Sequence, residues 1–167
     1  MCIKKLREYL DRHGVKYVSV SHSPAYSAQE VAASVHVSGR ELAKVVMVTM
    51  HNQLAMVVLP ASYHIDFQRL NQALHSKEMY LASEEEFVRR FPDCEPGAMP
   101  PFGNLYGMEV FVAQSLSEDS TITFNAGTHT DAISMAYTDF ARLVEPRVIS
   151  FTDRVRCGDE RREPAPL

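Results

Sequence analysis

The chain has 167 residues, with 17 Lys or Arg set against 21 Asp or Glu, for a formal net charge of -4. At 46% hydrophobic and 23% charged residues it reads as one globular domain able to bury a core without staples, which excludes wholesale disorder. The mild acidity argues against coating nucleic acid by bulk electrostatics, but it leaves room for a small basic cleft.

The first residues turn amphipathic at once and carry no signal-peptide pattern, so a cytoplasmic location is the expectation. Ile3, Leu6, Tyr9 and Leu10 share one face and predict a helix from Ile3 to His13, with Gly14 as its stop. Lys4 with Glu8, and Arg7 with Asp11, stand at i,i+4 and are expected to pair on the solvated face. Tyr17 to Val20 alternates like a short strand, and Pro24 marks the loop that follows. Ser27 and Glu30 form a capping-box pattern for a helix to about Val35. Ala43 to Met50 and Leu54 to Pro60 flank the polar break His51-Asn52-Gln53 and predict a hairpin. Its near-continuous apolar character asks for cover on both faces. The longest apolar run, Leu54 to Leu59, is far too short to span a membrane.

Asp66 is suited to cap a helix through Phe67, Leu70 and Leu74, and Ser83 with Glu86 makes a second capping box. Pro92 to Gly103 can be neither regular helix nor central strand. Glu109 to Ala113, Thr121 to Asn125 and Ala132 to Tyr137 read as three more strands. Thr138 is then expected to cap a short helix through Phe140, Leu143 and Val144. From Asp153 to Leu167 mixed charges and two prolines read as a peripheral tail. Helices interspersed with hairpins favour an α+β fold over a doubly wound parallel one.

Three places break the local rules of their element. Lys44 puts a charge at the start of the most apolar strand. It is either a lysine that snorkels to water or a cation at a pocket rim, where it can grip an anionic or carbonyl oxygen. The Gly97 to Gly103 segment spends two consecutive prolines. It is either a rigid connection or a stiff loop aiming backbone N–H groups at a ligand oxygen. Asn125 to Asp131 is either a plain turn or a loop that presents His129 to a pocket, with Thr128, Thr130 or Asp131 fixing its ring. Cys2, Cys94 and Cys157 are odd in number and far apart, with no C-x-x-C, so neither a disulfide framework nor a thiolate zinc site is expected. No H-x-x-x-H pair, nucleophile elbow, phosphate loop or dinucleotide fingerprint occurs, and no metal or cofactor is expected.

The three places occur in one order together with further motifs. His22-Ser23-Pro24-Ala25 comes first, then Gly39 to Val46 around Lys44, then Gly97-Ala98-Met99-Pro100-Pro101-Phe102-Gly103. Phe124 to Thr130 follows, and then Thr138-Asp139-Phe140. This ordered set resembles the YbaK / prolyl-tRNA-synthetase-associated editing-domain family, over roughly residues 3 to 150. The resemblance implies an α+β fold, a mixed, mainly antiparallel and barrel-like sheet surrounded by helices. Residues 1–150 would form the domain and 151–167 a C-terminal tail.

The resemblance also implies a free-standing hydrolase that deacylates mischarged tRNA in trans. Lys44, Gly97 and His129 would be its catalytic set. His22, Ala98, Met99, Pro100, Pro101, Phe102, Gly103, Gly127 and Thr128 would bind substrate. The branch that carries the His edits alanine, which points to a small amino acid on tRNA-Pro or a similar tRNA. The partner would be the 3′ acceptor end of an aminoacyl-tRNA, with transient association with a synthetase, and neither membrane nor duplex DNA. An ester is labile, so few groups suffice: N–H groups of the Gly97 loop for the oxyanion, Lys44 to orient the terminal nucleotide, and a water activated by the ribose hydroxyl or by His129. The alternative is a non-catalytic tRNA-binding module of the same fold.

Overall fold

The computed structural model describes residues 2–25, 28–35 and 41–154. Helix α1 (Cys2–Arg12) buries Cys2, Ile3, Leu6 and Leu10, the helical stripe the spacing predicted. Lys4 pairs with Glu8 at 3.9 Å on the outer face. Arg7 and Asp11 do not pair. Strand β1 (Tyr17–Ser21) runs close enough to take both: Arg7 donates to Ser19 Oγ at 2.6 Å and Tyr17 Oη donates to Asp11 at 3.1 Å.

After α2 (Ala28–Ser34), β2 (Leu42–Met50) and β3 (Gln53–Pro60) form the expected hairpin. The break is tighter than the sequence suggested, because only His51 and Asn52 turn. Both take positive φ, 51° and 62°, which matches the twist of the flanking strands. The capping-box residue Ser27 lies outside the described residues. Then come β4 (Tyr63–Ile65), α3 (Phe67–Ala73), β5 (Met79–Leu81) and α4 (Glu84–Phe87). Asp66 caps α3 through the Arg69 N–H, and Ser83 with Glu86 makes the reciprocal box on α4. Residues 92–102 carry no regular element. Strand β6 (Val110–Ala113), α5 (Gln114–Ser117), β7 (Thr121–Asn125), β8 (Asp131–Ala136), α6 (Tyr137–Val144), β9 (Arg147–Ile149) and β10 (Thr152–Arg154) complete the order. Thr138 is not the cap of α6. The helix leaves β8 directly at Ala136, and the Tyr137 N–H finds the Ser120 carbonyl instead of a side chain.

Eight strands form one mixed sheet in the order β1-β8-β7-β2-β3-β6-β9, with β5 added on β2; β4 and β10 pair apart. The sheet is open, not barrel-like. Side chains of β3 alternate between two separate cores: Met56 and Val58 join α1, α6 and the 92–110 segment, while Ala55, Val57 and Leu59 join α3 and Phe111. β1 and β9, the two ends of that order, do not pair with each other, so the sheet does not close, and its two faces are covered separately.

The body also runs past residue 150. Phe151 is fully buried, its carbonyl accepts from the Asp66 N–H at 2.8 Å, and Thr152–Arg154 pair with β4. Residues 155–167 lie outside the described residues. Among the described residues no helix is long and apolar enough to cross a membrane.

Candidate functional site

Three loops meet where β1 and β7 end and β8 begins. They are His22–Ala25 after β1, the 126–130 turn between β7 and β8, and the Pro92–Gly103 segment. Four backbone hydrogen bonds stitch them. His22 N–H donates to Thr130 O (2.8 Å), Ala25 N–H to His129 O (3.1 Å), Glu95 N–H to Gly127 O (2.8 Å) and Gly127 N–H to Ala98 O (2.8 Å). Segments from about 30 to more than 100 residues apart in sequence thereby become one surface.

His129 is held by the neighbouring loop. Its ring is only 14% exposed. Nε2 lies 3.0 Å from the Pro96 carbonyl, which can only accept, so Nε2 carries the hydrogen and donates it. The His129 N–H donates to Glu95 Oε2 at 2.9 Å, and the same carboxylate stands 3.9 Å from Nε2. Thr128, Thr130 and Asp131, expected to fix the ring, bond one another. Thr128 Oγ1 donates to Asp131 at 2.6 Å, and Ser21 and Thr130 donate to the same carboxylate. The Thr128 hydrogen bond, aided by those from Ser21 and Thr130, holds the Asp131 carboxyl below its usual range against the opposing effect of burial. Glu95 was not singled out from sequence, where it is one more acid in a Pro-rich stretch with no local signal of its partner.

Gly97 takes φ +84° and is exposed, and a Cβ there would lie 3.7 Å from His129 Cε1. Among the described residues its N–H reaches only the Met99 thioether, at 3.3 Å, a weak acceptor that gives the donor up easily. The Ala98 N–H is committed to the Glu95 carbonyl. Beyond Gly97 the loop sinks into the protein. Ala98, Met99, Pro100 and Pro101 are buried, and Phe102 packs against Phe124 and Phe140 with ring centres 5.6 Å away. Gly103 touches Val110 and Met108 so closely that a Cβ would overlap them at 2.6–2.7 Å. Phe102 and Gly103 therefore stand in the core as the loop's anchor.

Gly127 (φ +99°) packs directly on Cys2, and a disulfide joins Cys2 to Cys94. No disulfide was expected. The partners are 92 residues apart, and only the folding of α1 over the 92–98 segment brings them together. Cys2 N–H also donates to the Asp93 carbonyl.

Lys44 lies on β2, whose parallel pairing with β7 sets Ala43 beside Phe124. Ala43 and Phe124 both face the larger core, so Lys44 turns to the opposite face, near the small cluster of Ala25, Val31, Ala32, Leu42 and Ala61 under α2. Burial lowers its pKa below the ordinary lysine value, and among the described residues Nζ makes no hydrogen bond or ion pair. The His22 ring donates from Nδ1 to the Ser23 carbonyl at 2.8 Å, and among the described residues its buried Nε2 has no hydrogen-bond partner. Gly39 and Arg40 of the Lys44 motif lie outside the described residues. A cleft of about 650 Å³ lies at the far end of β2, between Thr49, Asn52, Arg90 and Glu109. It is roughly 17 Å from Lys44 along the strand and carries none of these groups.

The mixed sheet with its surrounding helices is a fold shared with solved structures. The fold matches "hypothetical protein APE2540" at TM-score 0.80 and 17% identity, over 89% of this chain and 99% of that one. It matches a candidate trans-editing enzyme for prolyl tRNA synthetase at TM-score 0.77 and 15% identity, over 91% and 97%. A longer signal-transduction candidate from Marinobacter aquaeolei VT8 embeds the same fold, at TM-score 0.69 and 16% identity, over 88% of this chain and 30% of that one. At such identities the likeness is one of fold. No curated protein sequence matches the chain. The family model of the aminoacyl-tRNA editing domain matches residues 22–143, and the chain belongs to that family.

Proposed function

We propose that this chain hydrolyses, in trans, the ester that links a wrongly attached small amino acid, alanine first, to the 3′ end of a tRNA. The observation that carries the reading is the junction of the Gly97 loop with His129, held by Glu95 and the Pro96 carbonyl. It offers a weakly committed donor beside a rigid imidazole wall. In the reaction, water adds to the ester carbonyl and the carbonyl oxygen gains negative charge. The Gly97 N–H leaves the Met99 thioether to meet that oxygen. Collapse breaks the bond to the ribose oxygen, which takes up the proton, and the amino acid departs. Lys44 grips the terminal nucleotide and His22 Nε2 accepts from the substrate. His129 acts as a wall, since its Nε2 proton is already given to Pro96; the neighbouring ribose hydroxyl serves the water.

A panel of tRNAs charged with Ala, Ser, Cys, Pro and larger residues tests this. Release of small amino acids at catalytic enzyme concentration is expected. No release from any tRNA that nevertheless binds returns the chain to the non-catalytic module. Glu95 sets the wall, so Glu95→Ala should narrow the preference for alanyl over valyl ester by about tenfold. Glu95→Gln, which keeps the acceptor for the His129 N–H, should hold it.

A further inference from the structure

We propose that Cys2 and Cys94 form a thiol–disulfide switch that sets the competence of this site, an inference that rests on the deacylase reading above. The pair sits behind both working loops. Cys94 directly precedes Glu95, the residue that fastens the Gly97 loop to His129. Cys2 is wedged under Gly127, whose absent Cβ would lie 2.7 Å from Cys2 Cβ and Sγ. A single covalent bond thus ties α1 to the segment of Gly97, and the turn of His129 packs directly on it.

Cys2 and Cys94 are both buried, but Cys94 lies between exposed Asp93 and Glu95. A modest opening of that segment admits a small reductant. The chemistry balances with a dithiol. One of its thiolates attacks a sulfur of the pair and forms a mixed disulfide. Its second thiol closes on the first, and the dithiol leaves as its own disulfide, having supplied two electrons and two protons. In reverse, a peroxide converts one thiolate to a sulfenic acid, and the second thiol condenses with it to the disulfide with loss of water. In a compartment where tRNAs are charged, intracellular disulfides are characteristically transient and redox-sensing.

Once the bond is broken, the two sulfurs must stand at van der Waals separation. There is no slack for this on the Gly127 side. The displacement falls on the turn that carries His129 or on the segment that carries Glu95 and Gly97. The oxidised form is therefore the preorganised one, and reduction loosens the wall and the donor together.

The test compares dithiothreitol-reduced and peroxide-oxidised protein, after removal of either reagent, for kcat and KM on alanyl-tRNA and for amide exchange at Ala98 and Gly127. Reduction should lower kcat/KM by about tenfold and speed exchange at both amides, and reoxidation should restore both. Cys2→Ser and Cys94→Ser should abolish the response, and Cys157→Ser should keep it. Equal kcat/KM and equal exchange in the two states of the native chain overturn the switch, whether or not the serine variants fold. So does a response that survives Cys94→Ser and disappears in Cys157→Ser. A chain that deacylates no tRNA in either state overturns the deacylase reading instead, and the exchange difference still decides the coupling.

Discussion

Replacing Lys44 by methionine is expected to lower kcat/KM for deacylation of mischarged tRNA by about 100-fold, the size expected when the contact that orients the terminal nucleotide and its ester is lost. The same change should leave the thermal midpoint unchanged or raise it. The two effects diverge because Lys44 is expensive to the fold. Its stem lies among the strand residues, its ammonium has no acceptor in the described protein, and burial lowers its pKa. Methionine keeps the length of the stem and removes the charge.

The pH dependence has a definite sign. A lysine whose folded pKa is depressed binds fewer protons folded than unfolded in the interval below the ordinary lysine value, so its burden on stability lightens as pH rises through that interval. The midpoint difference between Lys44→Met and the native chain should therefore shrink as pH approaches the ordinary lysine value. Thermal melts from neutral to alkaline pH, run beside deacylation assays, read both effects. A variant that unfolds early yet keeps its activity would sink the assignment of Lys44 to the site.

Gly127→Ala is expected to destabilise the chain by about 2–4 kcal/mol, the sum of a left-handed backbone penalty and an overpacked contact. For a chain of this size that is roughly 5–15 °C in the thermal midpoint. Each part has its own observation: φ of +99°, and 2.7 Å between the added Cβ and both Cys2 Cβ and Sγ. Cys2 cannot swing aside, because its sulfur is bonded to Cys94 and its N–H to Asp93. Gly14→Ala provides the control. Gly14 also takes positive φ, +65°, but a Cβ there meets nothing within 4 Å, so only the backbone part should appear. Calorimetry on the pair separates the two contributions. Equal losses would mean that contact with Cys2 costs nothing.

Local chemistry made much of this protein legible in advance. The β2–β3 hairpin shows in its β-branched runs, α3 and α4 in their caps, and the stripe of α1 in its spacing. The Gly/Pro segment could not be regular structure whatever surrounded it. Strands of three residues, β4, β5, β9 and β10, were invisible, because three residues carry no period and pair only where a neighbour offers an edge.

The site divides along the same line. Lys44, Gly97 and His129 stand out because each breaks the rule of its own element, and that much the sequence determines alone. Only the tertiary structure decides that Glu95 and the Pro96 carbonyl hold His129, that Cys2 reaches Cys94, and that a parallel β2–β7 pairing turns Lys44 away from the larger core. It also decides that the sheet stays open, since two buried faces on β3 say nothing about closure, which turns on whether β1 and β9 pair. The physical reason is common to all four. Each depends on segments tens of residues apart, and a contact between them leaves no imprint on the local propensities, caps or periods from which a sequence is read.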